Sequence, residues 1–425
     1  MRFAFTSLGC KLNHAEVQAY ARQLRELGHT VVPSLDEADV HVVNTCTVTH
    51  AAARDSRKAA RRGGRVGGVK TVLTGCYASD EASEAASLPG VDLVVDNLDK
   101  DDLVRRMVVG LGLPVAAPHP NPAVPATFEL TRGMVKIEDG CDWHCAFCII
   151  PSTRGEQRSR SPEDVLREVQ LLCTAGYQEI VLGGVQISSY RSDGVRLTDL
   201  TRRVLDETRV KRLRLTSIAP WQFDRRLLAL FEDDRLCPHF HLSLQAGCDA
   251  TLGRMQRPYR TDTYRKLVDD IRRQVPGVAI TTDVIVGFAG ESESDFVTSL
   301  DYVRAIGFSG VHVFPFSRRP GTEAAAMATP DLPVDVLKDR VARMREVGRA
   351  SQRAFWTSRL GQSASVLWER RRRGEWTGLT RDYLRVYAPV DSDRDLHNVV
   401  APAVLSRVRD DGIGVVLTPP GATVG

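Results

Sequence analysis

The sequence predicts an α/β protein in three parts: an N-terminal domain with a parallel sheet, a central partial (β/α)6 barrel, and a small C-terminal β-barrel. Three observations predict this. Strand-like and helix-like stretches alternate through most of the chain, a proline-rich stretch interrupts them after residue 111, and the last part holds only short strand-like stretches between turns. The expected bounds are 1–112, a linker over 113–126, 127–359 and 360–425. A chain of 425 residues exceeds what one hydrophobic core usually covers.

The N-terminal part alternates FAFTS, an amphipathic helix from Ala15 to Leu27, VHVVN, a basic helix, TVLTG and VDLVV. Three cysteines, which we call the strand-end cysteines, each come just beyond one of these strands: Cys10, Cys46 and Cys76. Ligands of open parallel sheets bind outside the carboxyl ends of the strands, so three thiols separated in sequence could converge at one edge. The shared placement favours a metal site over three structural thiols.

The segment LGLPVAAPHPNPAVPATFE holds five prolines and almost no charge, which is typical of an extended linker. Six strand-like stretches follow, most of them separated by helical segments: GMVKI, EIVLGG, RLRLTSI, FHLSL, AITTDVIVG and GVHVFPF. Ser161 as N-cap and Pro162 at the first helical position mark the start of the first intervening helix. Six βα units are too few for a closed eight-stranded barrel, so we expect a partial one with its chemistry at the carboxyl ends of the strands.

A basic amphipathic helix is predicted from Pro333 to about Leu360, with Leu337, Val341, Met344 and Val347 on one face. After it come SASVLWE, TGLTRDYLRVYAP, NVVAPAVLSRV and IGVVLT, short strands between turn residues. Such a succession of short strands is typical of a small β-barrel.

The net charge of +4 is unevenly distributed. Between Lys338 and Arg373 there are eleven Lys or Arg against three acidic residues, a balance of +8. A second basic stretch lies on the predicted helix after Cys46 and consists of Arg54, Arg57, Lys58, Arg61, Arg62 and Arg65. Two separate basic surfaces predict a polyanionic partner, although either stretch alone could be a solvated helix face.

The composition, 43% hydrophobic and 26% charged, is that of an ordinary globular protein. No apolar run reaches the ~18 residues that a membrane helix needs, and the N-terminus has too little apolar sequence before its cysteine for a signal or lipoprotein peptide. We therefore expect a cytoplasmic protein with no membrane partner. Nine cysteines, an odd count, favour metal ligation or reduced thiols over a disulfide framework.

EDGCDWHCAFCIIPSTRG places three cysteines, which we call the cysteine triplet, in a C-x3-C-x2-C pattern: Cys141, Cys145 and Cys148. A structural zinc site and an electron-transfer 4Fe-4S site both require four ligands. His144 lies between Cys141 and Cys145, a position from which it could hardly bind the same metal as all three cysteines. Three thiolates on a cubane leave one iron open, which is what a substrate-binding metal needs. The missing ligand is therefore expected to be a small molecule.

This triplet, on the loop after the first strand of a partial barrel, resembles that of the radical S-adenosylmethionine (SAM) enzymes. The resemblance implies that the amino and carboxylate groups of SAM occupy the open iron of a 4Fe-4S cluster. An electron from the cluster then cleaves the sulfonium and yields a radical that abstracts hydrogen from an unactivated carbon.

The resemblance extends over nearly the whole chain and narrows to the methylthiotransferases. It is carried by LGCKLNHAE, VVNTCTVTHAAARDSRKAARR, TGCYA, CDWHCAFCIIPSTRG, HLSLQAGCDATLGRMQRPY, TTDVIVGFAGESESDF and FSRRPGTEAA. In this family the N-terminal domain carries a second 4Fe-4S cluster and a C-terminal TRAM barrel binds RNA. Cys10, Cys46 and Cys76 match the ligands of the second cluster, so two 4Fe-4S clusters and SAM are the implied cofactors.

LGCKLN and NTCTVT are similar to the branch that acts on N6-threonylcarbamoyladenosine at position 37 of tRNA. The implied reaction is insertion of a methylthio group at C2 of the adenine. The implied partners are the tRNA anticodon stem-loop, an electron donor of the flavodoxin or ferredoxin type, and a sulfur source. The run from Arg370 to Arg373 supports RNA, since phosphate binding depends on Arg and Lys.

Two other functions compete with this interpretation. One is a methylthiotransferase of the same family that acts on isopentenyladenosine tRNA or on a ribosomal protein. The other is a non-catalytic iron-sulfur RNA-binding regulator, which would not need an open-site cluster inside a six-stranded barrel.

Other site residues follow from the resemblance. Gly183 and Gly184 occupy the place where the superfamily holds the methionine amino group with backbone, although an ordinary strand-ending turn is the alternative. Gln245 and the turn from Gly287 to Glu291 are candidate contacts for SAM.

The remaining candidates have simpler interpretations. Arg154 could meet a carboxylate or phosphate bidentately, or form a surface ion pair. Trp143 is expected to be a hydrophobic cover. Cys173, Cys237 and Cys248 are interpreted as structural.

Overall fold

The structure is a computed structural model that describes residues 1–114, 131–390 and 394–418. Apart from its first two residues, the expected linker over 113–126 lies outside the described residues. No helix within the described ranges is both long and apolar enough to cross a membrane.

The N-terminal part is a five-stranded parallel sheet in the order β2-β1-β3-β4-β5. All six residues of β3 are buried, as expected for a strand in the middle of a sheet that is covered on both faces. The strands are β1 Arg2–Ser7, β2 Thr30–Val31, β3 Val40–Thr45, β4 Lys70–Gly75 and β5 Leu93–Val94. The helices are α1 Lys11–Glu26, α2 His50–Gly63, α3 Cys76–Asp80, α4 Ala82–Ser87 and α5 Leu103–Gly110.

Strands β1, β3 and β4 are neighbours, and their carboxyl ends are in register. Asn44 of β3 pairs with Ser7 of β1 on one side and with Thr74 of β4 on the other. The segments that follow these three strands therefore start from one edge of the sheet.

The central part contains two curved parallel sheets, in the orders β12-β9-β6 and β13-β14-β15-β16. The predicted strand RLRLTSI is divided at Thr216 into β12 and β13, so six strands make up the partial barrel, as the sequence predicts. The barrel strands are β6 Arg132–Lys136, β9 Glu179–Gly183, β12 Leu213–Leu215, β13 Ser217–Ile218, β14 His239–Leu242, β15 Ala279–Val286 and β16 Gly310–Pro315. Two small pairs lie beside them: β7 Glu138–Asp139 with β8 Arg158–Ser159, and β10 Arg191–Ser192 with β11 Val195–Arg196.

Helices pack outside these strands around one large hydrophobic core. They are α6 Ile150–Arg154, α7 Pro162–Thr174, α8 Leu197–Glu207, α9 Asp249–Arg254, α10 Thr261–Gln274, α11 Glu293–Ile306, α12 Glu323–Ala326 and α13 Val334–Ser358. The start of α7 is as predicted, because the Ser161 hydroxyl accepts the backbone N–H of Asp164 and Pro162 is the first helical residue. The long helix α13 is also confirmed, with Val341, Met344 and Val347 buried.

The C-terminal part is a closed barrel in the order β17-β18-β19-β21-β20. It has its own core, in which Trp356, Trp368 and Trp376 are buried. The predicted stretch TGLTRDYLRVYAP contains parts of two strands, which are separated by a turn where Tyr383 has a φ of 67°. The strands are β17 Ser363–Arg372, β18 Glu375–Thr380, β19 Arg385–Pro389, β20 Val400–Val408 and β21 Ile413–Leu417.

Candidate active site

The strand-end cysteines lie together beyond the sheet edge. Cys10 is the N-cap of α1, Cys46 follows β3, and Cys76 opens α3 directly after β4. Gly9 has a φ of 86°, and a Cβ built on it would lie 2.6 Å from the Cys46 sulfur, so only glycine fits this close approach. Burial and the neighbouring thiols raise the pKa of Cys46 to about 11.

The loops that carry these cysteines are tied to each other. The Asn13 side-chain amide donates to the carbonyl oxygens of Leu8 at 2.7 Å and Thr45 at 3.0 Å. The Ser56 hydroxyl in α2 accepts the Cys46 backbone N–H at 2.9 Å. Hydrogen bonds from the Asn13 and Ser56 side chains to backbone groups thus help to fix the positions of the cysteines.

The cysteine triplet lies on the loop between β7 and α6. The Cys148 backbone N–H donates to the Cys145 carbonyl at 2.9 Å, which folds the loop into a tight turn. Burial raises the pKa of Cys141 to about 11 and that of Cys148 to about 12, with the other triplet thiols adding to the shift. Thiols bind a metal as thiolates, so metal binding by these cysteines would release their protons to solvent.

Arg154 is a fully buried cation between the two cysteine sets, so the alternative of a surface ion pair is wrong, whereas the predicted contact with carboxylates is present, to two of them. Its Nε donates to the Cys76 sulfur at 3.2 Å, and its Nη2 to Asn13 Oδ1 at 2.6 Å. Its Nη1 donates to Glu16 at 3.1 Å and to Asp139 at 2.8 Å. These partners come from both domains, so Arg154 joins the N-terminal domain to the triplet loop.

Lys100 completes this buried network, since its Nζ lies 2.6 Å from both Glu16 Oε1 and Asp139 Oδ2. Burial alone would raise the pKa of Glu16, but the charges of Arg154 and Lys100 lower it to about 2. The two carboxylates are therefore ionised, and each depends on buried cations for its stability.

Arg257 lies against the triplet from the other side. Its Nη1 donates to the Cys145 sulfur at 3.2 Å. The guanidinium lies over the ring of Trp221 at 4.4 Å, and Trp221 stacks on Tyr259. Trp143 meets Trp221 edge to face at 5.2 Å, which agrees with its predicted role as an apolar cover.

A cavity of about 430 Å³ opens at the carboxyl ends of the barrel strands. Most of the predicted site residues line it, namely Cys10, Cys141, Cys145, Cys148, Gly183, Gly184 and Gln245. Cys10 is the member of the strand-end set that reaches this cavity. Both cysteine sets thus border the same space.

The absence of a side chain at Gly184 leaves room for Glu138, which lies close to its backbone. A Cβ built on this glycine would lie 2.5 Å from the Glu138 carboxylate oxygen. The same carboxyl oxygen accepts the Gln186 backbone N–H at 2.9 Å, and burial raises the pKa of Glu138 to about 8. Gln245, three residues beyond the end of β14, also has an unusual backbone, with a φ of 69°.

The structure does not bring Gly287 and Glu291 to this cavity. The Glu291 carboxylate accepts the Gly287 N–H at 2.7 Å and pairs with Arg340 of α13 at 3.0 Å. A Cβ at Gly287 would lie 2.5 Å from the Leu337 side chain, so this turn faces α13. The two residues tie helix α13 to the end of β15 instead of contacting the cavity.

Sequence reasoning missed a polar wall of the cavity, formed by Lys11, His241, Asp283 and His312. The three barrel residues lie on adjacent strands, with Asp283 of β15 paired in register with His312 of β16. Ionisable residues at alternating positions of otherwise apolar strands are the signal that could have identified it.

The other three cysteines are apart from both sets. Cys237 and Cys248 are buried, and Cys173 is half-buried in α7. Cys248 lies 3.5 Å from the Asp295 carboxylate, and Cys237 4.0 Å from that of Glu179. Their interpretation as structural thiols remains a prediction.

The donor sets fit iron-sulfur clusters. Each set offers three thiols, which are the ligands that such clusters take. Guanidinium N–H groups from Arg154 and Arg257 point at one sulfur of each set, and hydrogen bonds of this kind are typical around cluster ligands.

Comparison with protein families supports this chemistry. Residues 135–303 match the sequence model of the Radical SAM superfamily, and residues 2–96 match that of Uncharacterized protein family UPF0004. The threonylcarbamoyladenosine tRNA methylthiotransferase MtaB of Bacillus subtilis is 38% identical over 80% of this chain and 79% of its own. MtaB of Chlamydia pneumoniae is 33% identical over 97% of each chain. The tRNA-2-methylthio-N(6)-dimethylallyladenosine synthase of Syntrophomonas wolfei is 33% identical over 81% of each.

Among solved structures, the radical SAM methyltransferase TsrM from Kitasatospora setae, with cobalamin and a [4Fe-4S] cluster bound, superposes with a TM-score of 0.57. It is 15% identical, over 76% of each chain, so it shows a shared fold alone. The sequence relatives are closer and cover most of the chain. This chain therefore belongs to the methylthiotransferase family of radical SAM enzymes, in the branch of the threonylcarbamoyladenosine tRNA methylthiotransferases.

Proposed function

We propose that this protein is a tRNA methylthiotransferase that inserts a methylthio group at C2 of N6-threonylcarbamoyladenosine at position 37 by radical SAM chemistry. The observation that carries the proposal is the single cavity bordered by both cysteine sets, with Cys10 on one side and the cysteine triplet on the other. Insertion of sulfur at a carbon needs hydrogen removal and sulfur delivery at the same atom, and a shared cavity allows both.

Family membership implies a 4Fe-4S cluster and SAM, and the cysteine triplet offers the ligands for that cluster. A second cluster, on Cys10, Cys46 and Cys76, is our proposal, and it would present the sulfur. When bound, these groups supply the one-electron chemistry that removes a hydrogen atom from an unreactive carbon and the sulfur that replaces it.

The side chains around the cavity position these groups and exclude water. Trp143, Trp221 and Tyr259 form an aromatic cover beside the triplet. The backbone at Gly183 and Gly184 lines the cavity without side chains, which suits close contact with the amino group of methionine in SAM. Gln245 is available for a further contact with the same cofactor.

The tRNA anticodon stem-loop would meet the exposed arginines. Arg370 to Arg373 lie at the end of the β17–β18 hairpin, and all four are exposed. The basic residues of α2 form a second positive surface near the strand-end cysteines. An electron donor of the flavodoxin or ferredoxin type and a source of sulfur complete the proposed partners, and no membrane partner is proposed.

The test is reconstitution under anaerobic conditions with iron, sulfide, SAM and a strong reductant. Anticodon stem-loops carrying threonylcarbamoyladenosine or isopentenyladenosine are supplied in parallel, and nucleosides are analysed by mass spectrometry. The proposal expects the 2-methylthio product from the first loop alone. The product from the isopentenyl loop alone would instead favour the other tRNA branch, and SAM cleavage without either product would contradict both.

A further inference from the structure

One wall of the cavity carries four ionisable side chains that the two cysteine sets do not use. His241, Asp283 and His312 come from the adjacent parallel strands β14, β15 and β16, and Lys11 comes from the first turn of α1. One side-chain nitrogen or oxygen of each of the three barrel residues lies within 4.8 Å of the other two. Ionisable groups from two domains thus converge on the space that the cysteine triplet borders.

His241 fixes the position of Asp283. Its Nδ1 lies 3.1 Å from the Thr281 hydroxyl and its Nε2 lies 3.1 Å from Asp283 Oδ2, so both ring nitrogens are engaged. Burial raises the pKa of Asp283, but the hydrogen bond and the charges of His241, His312 and Lys11 outweigh it and lower the pKa. Asp283 is therefore an oriented carboxylate at neutral pH.

The other two members of the wall are His312 and Lys11, and Lys11 also interacts with the Tyr383 side chain. The His312 ring has no hydrogen-bond partner among the described residues and lies 5.9 Å from the His241 ring, centroid to centroid. The Lys11 ammonium lies 4.8 Å from the centroid of the Tyr383 ring. An ammonium and an imidazole beside a fixed carboxylate offer donors to an anion and an acceptor to a hydroxyl or N–H.

We propose, on the basis of the function proposed above, that Lys11, Asp283 and His312 form the subsite for the N6 substituent of the target adenosine. Lys11 and His312 receive the carboxylate of the threonylcarbamoyl group, and Asp283 accepts a hydrogen bond from its hydroxyl or its N–H. His241 is a positioning residue that holds Asp283.

The charges of this wall select against the other candidate ligands. An apolar isopentenyl group would leave the polar groups of the wall desolvated and without partners. A polar site of this kind strongly rejects substrates that lack the matching polar groups. A divalent cation would meet the positive charge of Lys11, which acts on both Asp283 and His312. An anionic substituent with hydrogen-bond donors satisfies all three side chains.

The test compares two stem-loops with the same phosphates, one with the free threonyl carboxylate and one with its methyl ester. Affinity is measured by fluorescence anisotropy on the cluster-loaded protein with SAM. The wild type should prefer the acid about tenfold, the size expected for a charge-assisted hydrogen bond. Lys11→Met should weaken binding of the acid about tenfold and leave binding of the ester unchanged. Lys266→Met, on an exposed lysine of α10, is the matched control and should keep the wild-type preference.

Because Lys11 adjoins Cys10, His312→Gln on β16 is a second variant whose effect does not depend on the strand-end cysteines. It should reduce the preference for the acid about threefold. An equal loss of affinity for acid and ester in Lys11→Met would identify a phosphate contact and overturn the subsite. The subsite would also be overturned if both variants kept the wild-type preference for the acid over the ester. Failure of the wild type to methylthiolate the acid loop while still cleaving SAM would contradict the proposed function instead.

Discussion

At the scale of single residues, Glu138 shows how close packing around the cavity sets a protonation state. Its side chain is 1% exposed, and one carboxyl oxygen accepts the Gln186 N–H while the other has no partner among the described residues. Burial raises its pKa to about 8, so the neutral acid dominates at neutral pH. Folding therefore favours the protonated form of this residue.

Stability should consequently fall with rising pH because of Glu138. Its folded pKa of about 8 is above the ordinary value of 4.5, so its contribution is complete below 4.5 and is lost as the pH rises through 8. The loss amounts to about 1.4 kcal/mol for each pH unit in that window. Glu138→Gln keeps the shape and cannot ionise, so its free energy of unfolding should decline less. Urea unfolding of both proteins across this range measures the difference, and parallel pH profiles would contradict it.

Arg154→Met should destabilise the protein by about 3–5 kcal/mol, because it leaves the Glu16 and Asp139 carboxylates buried with less compensating charge. The matched control is Arg167→Met, which removes an arginine from a pair exposed on α7 and should cost about 0–1 kcal/mol. Thermal or urea unfolding of the two variants gives the comparison. Equal, small losses would mean that Arg154 does not hold the two domains together.

Arg257 should raise the reduction potential of the cluster that the triplet holds. The substitution Arg257→Gln removes the hydrogen bond to the Cys145 sulfur, and it also removes a positive charge that stabilises an added electron. The reduction potential of the cluster should therefore fall, on the order of tens of millivolts. Spectroelectrochemical titration measures the shift, and an unchanged potential would assign Arg257 to packing against Trp221 alone.

At the scale of elements, the order of the strands decides which residues meet. Adjacent parallel strands β1, β3 and β4 bring three distant cysteines to one edge, and the strand-then-cysteine pattern predicts this from the sequence. The six barrel strands, helix α13 and the terminal barrel also follow from periodicity and turn residues. Such features are local and repeat within short windows, which is why sequence reasoning reaches them.

Contacts between elements distant in sequence could not be predicted in the same way. Arg154 is buried because Asn13, Glu16 and Cys76 fold onto it, and nothing in its neighbouring sequence indicates this. The Gly287 to Glu291 turn faces α13, a helix that begins more than forty residues later. The polar wall forms only when three strands are in register. Each of these depends on tertiary packing, which local patterns do not encode.

The β17–β18 hairpin should supply part of the RNA affinity. Replacing Arg370 to Arg373 by Gln removes four exposed charges, so tRNA binding should weaken and the slope of log affinity against log salt should become shallower by about 0.7–0.9 per lost phosphate contact. SAM cleavage without RNA should not change. The matched control replaces four exposed arginines outside the basic stretches by Gln, namely Arg105, Arg167, Arg202 and Arg209. Equal slopes in the two quadruple variants would rule out a specific contribution from the hairpin.

At the scale of the whole molecule, the cavity lies between the N-terminal domain and the partial barrel, and the terminal barrel lies beside it. The N-terminal domain contributes Cys10 and Lys11, the barrel contributes the triplet and the other three residues of the polar wall, and the terminal barrel places Tyr383 against Lys11. The charges of Lys11, Arg132 and Arg214 lower the pKa of Tyr383 to about 8 although burial opposes this, so the junction is strongly positive. A polyanion held by the basic surfaces would thus meet positive charge beside a cavity that two domains line.

The central claim is the identity of the modified nucleoside, and mass spectrometry of nucleosides from cellular tRNA tests it most directly. The comparison uses a strain lacking this protein, and the same strain complemented with the wild type or with Cys141→Ala. We expect the 2-methylthio form of threonylcarbamoyladenosine to disappear without the protein and to return only with the wild type. If the amount of that nucleoside is the same in all strains, the protein does not modify threonylcarbamoyladenosine in tRNA.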